Sequence, residues 1–467
     1  MIKNPKNKLK NKKYVHFDCK KNPKYFENKI SNRKWVSKHG FYPFIHYTIN
    51  FDKYVYSGDG KNFRKKNTKT RHIYYASHID RYIYQFYGEE LNNKYNELAQ
   101  EYGINKASIA YRNIFKGKCN IHFAKEVIDF ISNQKNAFVY VADFTNFFDE
   151  LNHSYLKEKL VDILKCERLP NEHYAIYKNI INFTYVEKED ILNYKGIDKK
   201  EFNKLNQIFD TTQEFQVFKK SRNLNNEKYL KKHKDSDNGK KKIGIPQGSS
   251  ISAVYSNIYM IDFDKYINNY VTSNKGIYRR YCDDIIIVIP LDDKKSDYKK
   301  YIKKINDIKL KIPNLNINDD KTSKFIYKEG EFLGVENTNK NHLDYLGFYF
   351  DGKVVKIRDK SLFKYYSRMY QKVDIVSKYS VKFGRKAFRS RLYKLYSHLG
   401  AIPRKSNSNK GKHEYGNFLT YAYKAYDIFG ENNNYKNIIK LQVANHWTNM
   451  QRRLKICEIK YKRKDLL

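Results

Sequence analysis

The feature that most constrains the fold is a pair of adjacent aspartates, Asp283 and Asp284, at the tip of a predicted β-hairpin. Residues 277–280 precede the Tyr-Cys-Asp-Asp run, and the unbroken apolar residues 285–289 follow it, as expected for buried strands. An uncompensated charge beside buried strands is costly. Two acids in this position therefore indicate a cation that they share.

Two upstream segments support the interpretation of the aspartate pair as part of a cation site. Residues 138–149 form a β-rich run that delivers another carboxylate, Asp143, to a strand end. Residues 244–250, Gly-Ile-Pro-Gln-Gly-Ser-Ser, open a long stretch with helical amphipathic spacing. One aspartate, then a Pro-Gln-Gly loop with a helix, then an aspartate pair in a hairpin is the motif order of palm-type polymerases.

At these residues the chain resembles a reverse transcriptase over roughly residues 70–360. The resemblance implies an α+β right-hand polymerase, with fingers and palm built from an antiparallel sheet on helices and followed by an all-helical thumb. We therefore divide the chain into a basic N-terminal arm (1–70), fingers and palm (71–360), and a helical thumb or C-terminal domain (361–467).

The chemistry implied by the resemblance is metal-dependent nucleotidyl transfer from deoxynucleoside triphosphates. Two Mg²⁺ ions, for which Mn²⁺ can substitute, need a few rigidly placed carboxylates. The expected catalytic residues are Asp143, Asp283 and Asp284, and the expected metal ligands are these three and Phe144. Each aspartate alone is more often a turn or cap residue, so the prediction depends on their combined order.

Other residues are expected to bind substrate. The resemblance makes Phe148, five positions after Asp143, the gate that excludes a 2′-hydroxyl, although Phe147 and Phe148 could both be core residues. Gln247 and Gly248 would approach base and template closely, because glycine has no Cβ.

Three cations and one hairpin complete the expected site. Arg112 and Lys118 would hold the triphosphate, since guanidinium and ammonium groups match phosphate oxygens, but a solvated basic face explains them equally well. Lys321 would donate a proton to pyrophosphate, with a surface role as the alternative. Leu346 and Gly347 resemble the primer grip of the family.

The charge of the chain indicates a polyanionic partner. There are 92 Lys and Arg against 50 Asp and Glu, with a net charge of +42 and a pI near 9.7. An AT-rich gene would also favour lysine but would not remove acids. RNA, as a structured non-coding RNA, and a DNA product are therefore the expected partners, and a homo-oligomer is left open.

Cysteine spacing and hydropathy indicate the cellular compartment in which the protein is expected. The five cysteines are widely spaced and include no Cys-x-x-Cys pair, so no zinc site or disulfide framework is indicated. No signal peptide and no apolar run of membrane-spanning length is recognisable. We expect a cytoplasmic protein without a membrane partner.

Coarse periodicity predicts the surrounding elements. Residues 71–98 favour a helix, and residues 104–124 favour a short helix, a basic turn at residues 116–118 and a return to apolar residues. Residues 1–40 are predicted to form a basic arm that becomes ordered on its partner. Residues 219–242 read as a polar surface insertion. Only helical patterns follow residue 361.

Further motifs indicate which group of reverse transcriptases the chain resembles. Segments 75–84, 109–112, 117–124 and 416–421 look like those of bacterial defence-associated reverse transcriptases of the unknown-group and abortive-infection classes. This implies an antiphage polymerase paired with a non-coding RNA.

The alternatives are an enzyme serving its own retron or intron element, template-independent synthesis by the same site, and a non-catalytic RNA-binding protein. Priming by a phenol such as Tyr14 or Tyr461 is a further hypothesis.

Overall fold

A computed structural model describes residues 9, 12–56, 64–223, 225–232, 242–292, 297–386, 388–401 and 416–465 of the chain. The strands are β1 (Phe44–Tyr56), β2 (Arg64–Tyr75), β3 (Asn136–Asp143), β4 (Thr184–Glu187), β5 (Lys231–Lys232), β6 (Ile277–Tyr281), β7 (Asp284–Pro290), β8 (Ser323–Lys328), β9 (Glu331–Gly334), β10 (Leu343–Tyr345), β11 (Phe348–Phe350), β12 (Val354–Ile357) and β13 (Lys436–Asn437). The helices are α1 (Pro23–Ser31), α2 (Arg33–Ser37), α3 (His78–Glu101), α4 (Asn120–Ser132), α5 (His153–Leu164), α6 (Asn171–Ile181), α7 (Lys188–Lys195), α8 (Lys199–Phe202), α9 (Thr212–Lys220), α10 (Ser250–Tyr259), α11 (Ile261–Ser273), α12 (Lys299–Leu310), α13 (Asp359–Lys382), α14 (Arg389–Tyr396), α15 (Phe418–Phe429), α16 (Ile439–Val443) and α17 (His446–Asp465).

The central element is a five-stranded antiparallel sheet in the order β6-β7-β3-β8-β9. Successive side chains of a strand point to opposite faces, and here both faces are covered. Phe138 and Ile287 pack with α3, α5, α10, α11 and α12 on one face, and Val139 and Val288 pack with α4, β11 and α15 on the other. Burial on both faces explains why β7 is apolar without alternation.

A second sheet has the order β2-β1-β4-β5, and we refer to it as the fingers sheet, or fingers. The prediction of a helix over residues 71–98 is wrong at its start, because β2 pairs with β1 through Tyr75 and α3 begins only at His78. Ser77 ends the strand segment, and its side chain caps α3 by accepting a hydrogen bond from the Asp80 amide at 3.1 Å.

The N-terminal segment is folded against the fingers. Phe26 and Ile30 of α1 and Val36 of α2 are buried in the main core, so residues 12–37 do not form the partner-dependent arm that we expected. Asp18 supplies a second cap for α3, accepting from the His78 and Ile79 amides, both at 2.9 Å. The predicted domain boundaries stay a prediction, and residues 1–8, 10–11 and 57–63 lie outside the described part.

The segment between α3 and α4 lacks the short helix predicted from residue 104, whereas residues 116–117 form a turn, as predicted. Helical structure begins again only at Asn120. The preceding turns dock on β6 instead, where the Arg280 amide donates to Ala107 at 2.8 Å and the Ile109 amide donates to Arg280 at 2.9 Å. Tertiary backbone pairing therefore overrides the helical pattern here.

The C-terminal region combines a small sheet with helices. Strands β10-β11-β12-β13 form the sheet, so the expectation of helices alone after residue 361 misses β13. Helices α13, α14 and α17 share a separate core around Met369, Val373 and Leu454. Residues 224 and 233–241 of the predicted polar insertion lie outside the described residues, as does 402–415.

Among the described residues, none of the helices combines the length and the apolar character that a membrane crossing requires.

Candidate active site at the edge of the central sheet

Backbone pairing brings the predicted catalytic aspartates to one edge of the central sheet. Asp143 ends β3 and lies directly opposite Asp284, the first residue of β7. The β6–β7 hairpin closes over Cys282 and Asp283, with Tyr281 paired to Asp284. The Phe144 amide donates to the Asp283 carbonyl at 3.3 Å, which fixes the hairpin tip against the end of β3.

The aspartates divide between two cavities. Asp143, Phe144 and Asp283 line a cavity of about 650 Å³, whereas Asp143 and Asp284 line a second one of about 330 Å³. Alternation along the hairpin sends adjacent residues to different sides. Asp143 is therefore the residue common to both spaces.

The carboxyls are electrostatically crowded. Desolvation raises the pKa of Asp283, and a hydrogen bond and the charge of Asp143 raise it further. Asp284 is exposed as a residue, but desolvation of its carboxyl and the charges of Asp283 and Asp143 raise its pKa to about 6. Lys321 opposes this, since its ammonium forms an ion pair with Asp143 and lies 44% exposed. A cation between these acids would relieve the repulsion.

The donor set fits a hard divalent ion. The Oδ1 atom of Asp143 is buried and accepts no hydrogen bond from the described residues. Mg²⁺ keeps several waters and takes one or two protein carboxylates, which the Asp143–Asp283 pair can supply. Within the described ranges, no three Asp, Glu, His or Cys side chains already form a metal cluster. Asp284 would have to reorient to join the other two at one ion.

The two adjacent phenylalanines separate as one core residue and one cavity residue. Phe147 is buried at 5% exposure in the main core, and Phe148 is half-buried and lines the catalytic cavity beside Gln247. The rings meet edge to face with centroids 5.5 Å apart. Phe148 is thus the one of the two that a substrate sugar could meet.

Gly248 joins the palm to the fingers. Its φ is +118°, and a Cβ built on it would lie 2.6 Å from the Tyr74 carbonyl oxygen. The Tyr74 amide donates to the Gln247 carbonyl at 2.9 Å. Only glycine can occupy this close backbone approach without strain.

The predicted primer-grip residues form a tight turn between β10 and β11. Leu346 and Gly347 have φ of 46° and 95°. The Asn120 side chain donates to the Leu346 carbonyl at 2.9 Å and to the Tyr421 hydroxyl at 3.0 Å. Leu346 lines the smaller cavity together with Asp143, Asp284 and Lys321.

Arg112 and Lys118, the two predicted triphosphate ligands, do not line the cavity that contains Asp143 and Asp283. Arg112 is 8% exposed, and its guanidinium donates to Asn96, to both oxygens of Asn105 and to the Ser108 carbonyl. Its role is therefore to hold the loop that precedes α4. Lys118 is exposed in the turn before α4 and lines neither cavity.

The fingers strand β2 supplies cations that our sequence reasoning missed. Lys69, Arg71 and His72 line the larger cavity opposite the aspartates. The basic run in residues 64–72 is a usable signal, but the helix predicted to start at Arg71 conflicts with a strand there. Recognising β2 as one arm of a hairpin would have pointed to these side chains.

The catalytic cavity continues into two further cavities. One, of about 880 Å³, shares Tyr111, Phe148 and Gln247 with it. The next, of about 560 Å³, shares Gly248 and Ser249 with the second and is also lined by basic side chains: Lys12, Lys13, Arg81 and Lys188. Neighbouring cavities therefore lie in a row from the aspartates past Gly248 to the N-terminal segment, and we call this row the groove.

The two tyrosines suggested as primers lie elsewhere. The Tyr14 hydroxyl donates to the Ala76 carbonyl at 3.0 Å and accepts from Arg81, and burial raises its pKa. The Tyr461 hydroxyl donates to Asp374 at 2.7 Å on the C-terminal helices. Neither lines the cavity that contains Asp143 and Asp283.

Comparison with known proteins identifies the type of domain. Residues 199–350 match the family model described as reverse transcriptase (RNA-dependent DNA polymerase). The matched segment contains Gln247, Asp283, Asp284 and Lys321, while Asp143 precedes it. No curated protein matches the sequence.

Solved structures similar to the chain include two yeast telomerases. The apo telomerase from Candida tropicalis, truncated from its C-terminal domain, has 14% identity and a TM-score of 0.39, covering 70% of this chain and 59% of that chain. The telomerase from Candida albicans in complex with a TWJ fragment of telomeric RNA has 13% identity and a TM-score of 0.39, covering 94% and 66%. The chain thus spans less than two thirds of either.

Residues 199–350 are thus similar to a reverse transcriptase domain. This similarity agrees with the enzyme class that we predicted, a nucleotidyltransferase of the RNA-directed DNA polymerase type. It also confirms the predicted fold class, an α+β right-hand polymerase with a helical C-terminal region.

Proposed function

We propose that this protein synthesises DNA on an RNA template by nucleotidyl transfer at Asp143, Asp283 and Asp284. The observation that carries the proposal is the pairing of Asp143 with Asp284 at one sheet edge, with Asp283 in the intervening turn. A central strand and a hairpin held by a backbone ladder give carboxylates the rigidity that this chemistry needs.

In this proposal the protein's residues bind and orient the reactants. Asp143 and Asp283 hold divalent ions, Mg²⁺ in the first place, which supply activation of the primer hydroxyl and neutralisation of the leaving pyrophosphate. Lys321, already paired with Asp143, is the group that would move a proton to the leaving group. Phe148 would exclude the ribose 2′-hydroxyl, and Lys69 and Arg71 would face the triphosphate.

The groove past Gly248 is the proposed path of the single-stranded template. It is lined by tyrosines on which bases can stack, among them Tyr47 and Tyr75, and by lysines that suit phosphates. The net charge of +42 supports an RNA partner of considerable size. Leu346 and Gly347 would contact the primer strand on the other side of Asp143.

We further propose that the enzyme acts in antiphage defence in the bacterial cytoplasm on an associated structured RNA. This rests on the motifs at residues 75–84, 109–112, 117–124 and 416–421 that resemble defence-associated reverse transcriptases. Sequencing nucleic acid that copurifies with the protein, with and without phage, tests the proposal. A retron or intron RNA would favour the alternative in which the enzyme serves its own element, and DNA without a template match would indicate untemplated synthesis.

The test of the catalytic assignment is the Asp283→Ala/Asp284→Ala variant. We expect Mg²⁺-dependent dNTP incorporation to fall by about 10³-fold or more, with RNA binding retained. Asp143→Ala should behave alike, and Asp292→Ala, at the far end of β7, should behave like the parent protein. Normal incorporation by the double variant would refute the proposed mechanism.

A further inference from the structure

An ion pair that is completely buried lies beneath the catalytic hairpin. Arg280 of β6 and Asp264 of α11 both have 0% side-chain exposure. The Nε and Nη2 atoms of Arg280 donate to the two carboxylate oxygens of Asp264 at 2.8 and 2.6 Å. A bidentate guanidinium–carboxylate pair fixes the position of both groups.

The same guanidinium also reaches the catalytic turn. Its Nη1 atom donates to the Cys282 carbonyl at 3.0 Å and to the Asn257 side-chain oxygen at 3.1 Å. Cys282 has φ of 62°, a backbone conformation that L-residues with a side chain adopt only at a cost. Such a turn persists when its surroundings hold it, and Arg280 supplies one of the holding bonds.

Asp264 is itself held on its other side. The Tyr278 hydroxyl donates to it at 2.7 Å, and the Tyr95 hydroxyl lies at 3.5 Å. Removing one member of a buried ion pair leaves an uncompensated charge, so neither Arg280 nor Asp264 can be exchanged freely. A purely apolar packing of this site would be stable but would offer no donor to the Cys282 carbonyl.

We propose that Arg280, oriented by Asp264, is a positioning residue that sets the Cys282–Asp283 turn and thereby aims the Asp283 carboxylate at the divalent ion. This inference rests on the proposed function. The assignment extends the site beyond residues that touch the reactants to a pair buried behind them. Loss of the arrangement would weaken metal binding before it affects substrate binding.

The neighbouring residue Arg279 provides a matched control. It lies on the same strand, is 7% exposed and forms its own bidentate pair with Glu126, at 3.2 and 2.6 Å. Its remaining bond goes to the Tyr278 carbonyl at 2.7 Å and not to the turn. Arg279→Lys therefore perturbs a similar ion pair without touching the Cys282 carbonyl.

The experiment compares Arg280→Lys with Arg279→Lys in the full chain. Lysine keeps the charge beside Asp264 but has no planar fork that can bond Asp264, Asn257 and Cys282 together. The readouts are amide hydrogen exchange in residues 281–284, Mn²⁺ binding by calorimetry, and dNTP incorporation at varied Mg²⁺. For Arg280→Lys we expect amide hydrogen exchange in residues 281–284 to become about tenfold faster and the Kd for Mn²⁺ to rise by about tenfold. Both changes correspond to the loss of one hydrogen bond from a charged donor.

The outcomes separate this inference from the proposed function. Equal exchange and Mn²⁺ affinity in the two lysine variants would overturn the positioning role, whether or not the parent polymerises. An inactive parent whose turn still loosens only in Arg280→Lys would overturn the polymerase proposal alone.

If Arg280→Lys does not fold, Tyr278→Phe decides. It removes one hydrogen bond to Asp264 and keeps the aromatic ring. We expect amide hydrogen exchange in residues 281–284 to rise by about twofold to threefold, and an unchanged exchange rate would contradict the inference.

Discussion

The two walls of the catalytic cavity are built in different ways. The palm wall carries Asp143 at the end of β3 and Asp283 in the β6–β7 turn, and β3 and β7 pair over almost their whole length and are buried on both faces. The fingers wall carries exposed Lys69 and Arg71 on a two-stranded hairpin that extends from the β4 pairing. Metal chemistry needs fixed carboxylates, whereas phosphate binding tolerates long side chains that adjust to the ligand.

Gly248 connects the two walls, so a substitution at Gly248 tests most directly whether the walls must be joined. In Gly248→Ala the new Cβ would collide with the Tyr74 carbonyl, because the two would lie 2.6 Å apart at a φ of +118°. We expect dNTP incorporation to fall by about 10²-fold from a displacement of the fingers strand. Gly40→Ala, where a Cβ meets nothing within 4 Å, should stay active. A fully active Gly248→Ala variant would show that the walls need not be joined here.

A second prediction concerns the contribution of the palm wall to sugar choice. Phe148→Ala would open space next to Gln247 in the catalytic cavity. We expect the preference for dNTPs over rNTPs to fall by about tenfold or more, measured as the ratio of kcat/KM values. Phe148→Leu, which keeps most of the bulk, should change it less. A parent enzyme that already uses both nucleotides equally would rule out the gate role.

The fingers wall should act on binding more than on the chemical step. For Lys69→Ala/Arg71→Ala we expect KM for dNTP to rise by about tenfold with a smaller change in kcat, because the lost contacts are phosphate contacts. The exposed Lys303→Ala on α12 is the control for the loss of charge. A change confined to kcat would place these residues in the chemistry instead.

The smallest predicted effect is on thermal stability, because the acids of the palm wall repel one another when they are charged. The pKa of Asp284 is about 6 in the folded chain against 3.8 for the free residue, so protonation stabilises the fold below pH 3.8. This stabilisation is lost as the pH rises through 6. Asp284→Asn should therefore raise Tm by about 1–2 °C at pH 7, with no difference near pH 4.

Saturating Mg²⁺ should reduce that difference, because the ion neutralises the same carboxylates in the parent. A parent and variant with parallel melting curves from pH 4 to 7 would contradict the proposed crowding.

The sequence predicted the palm wall better than the fingers wall, for a physical reason. Asp143 ends an apolar strand and Asp283 lies in the turn that leads into another, and strand pairing then determines where they meet. Lys69 and Arg71 lie in a polar strand without apolar alternation, so no periodicity marks it as β2. Arg112 was misassigned because its charge was visible in the sequence and its buried partners, Asn96 and Asn105, were not.

Arg280 illustrates a further limit of reading the sequence. A charged residue in an otherwise buried strand is noticeable, but its partner Asp264 lies 16 positions away on a helix. Nothing in local spacing joins the two, since the contact depends on how α11 packs against β6.

The capping of α3 by Asp18 makes the extreme N-terminal region part of the polymerase scaffold. Anyone who shortens this chain to its recognisable catalytic segment would leave the His78 and Ile79 amides without their acceptor. The damage would appear at the fingers, in the register of β2 against Gln247, although no catalytic residue had been removed. An expression tag or fusion partner is therefore better attached at the other end of the chain, beyond α17.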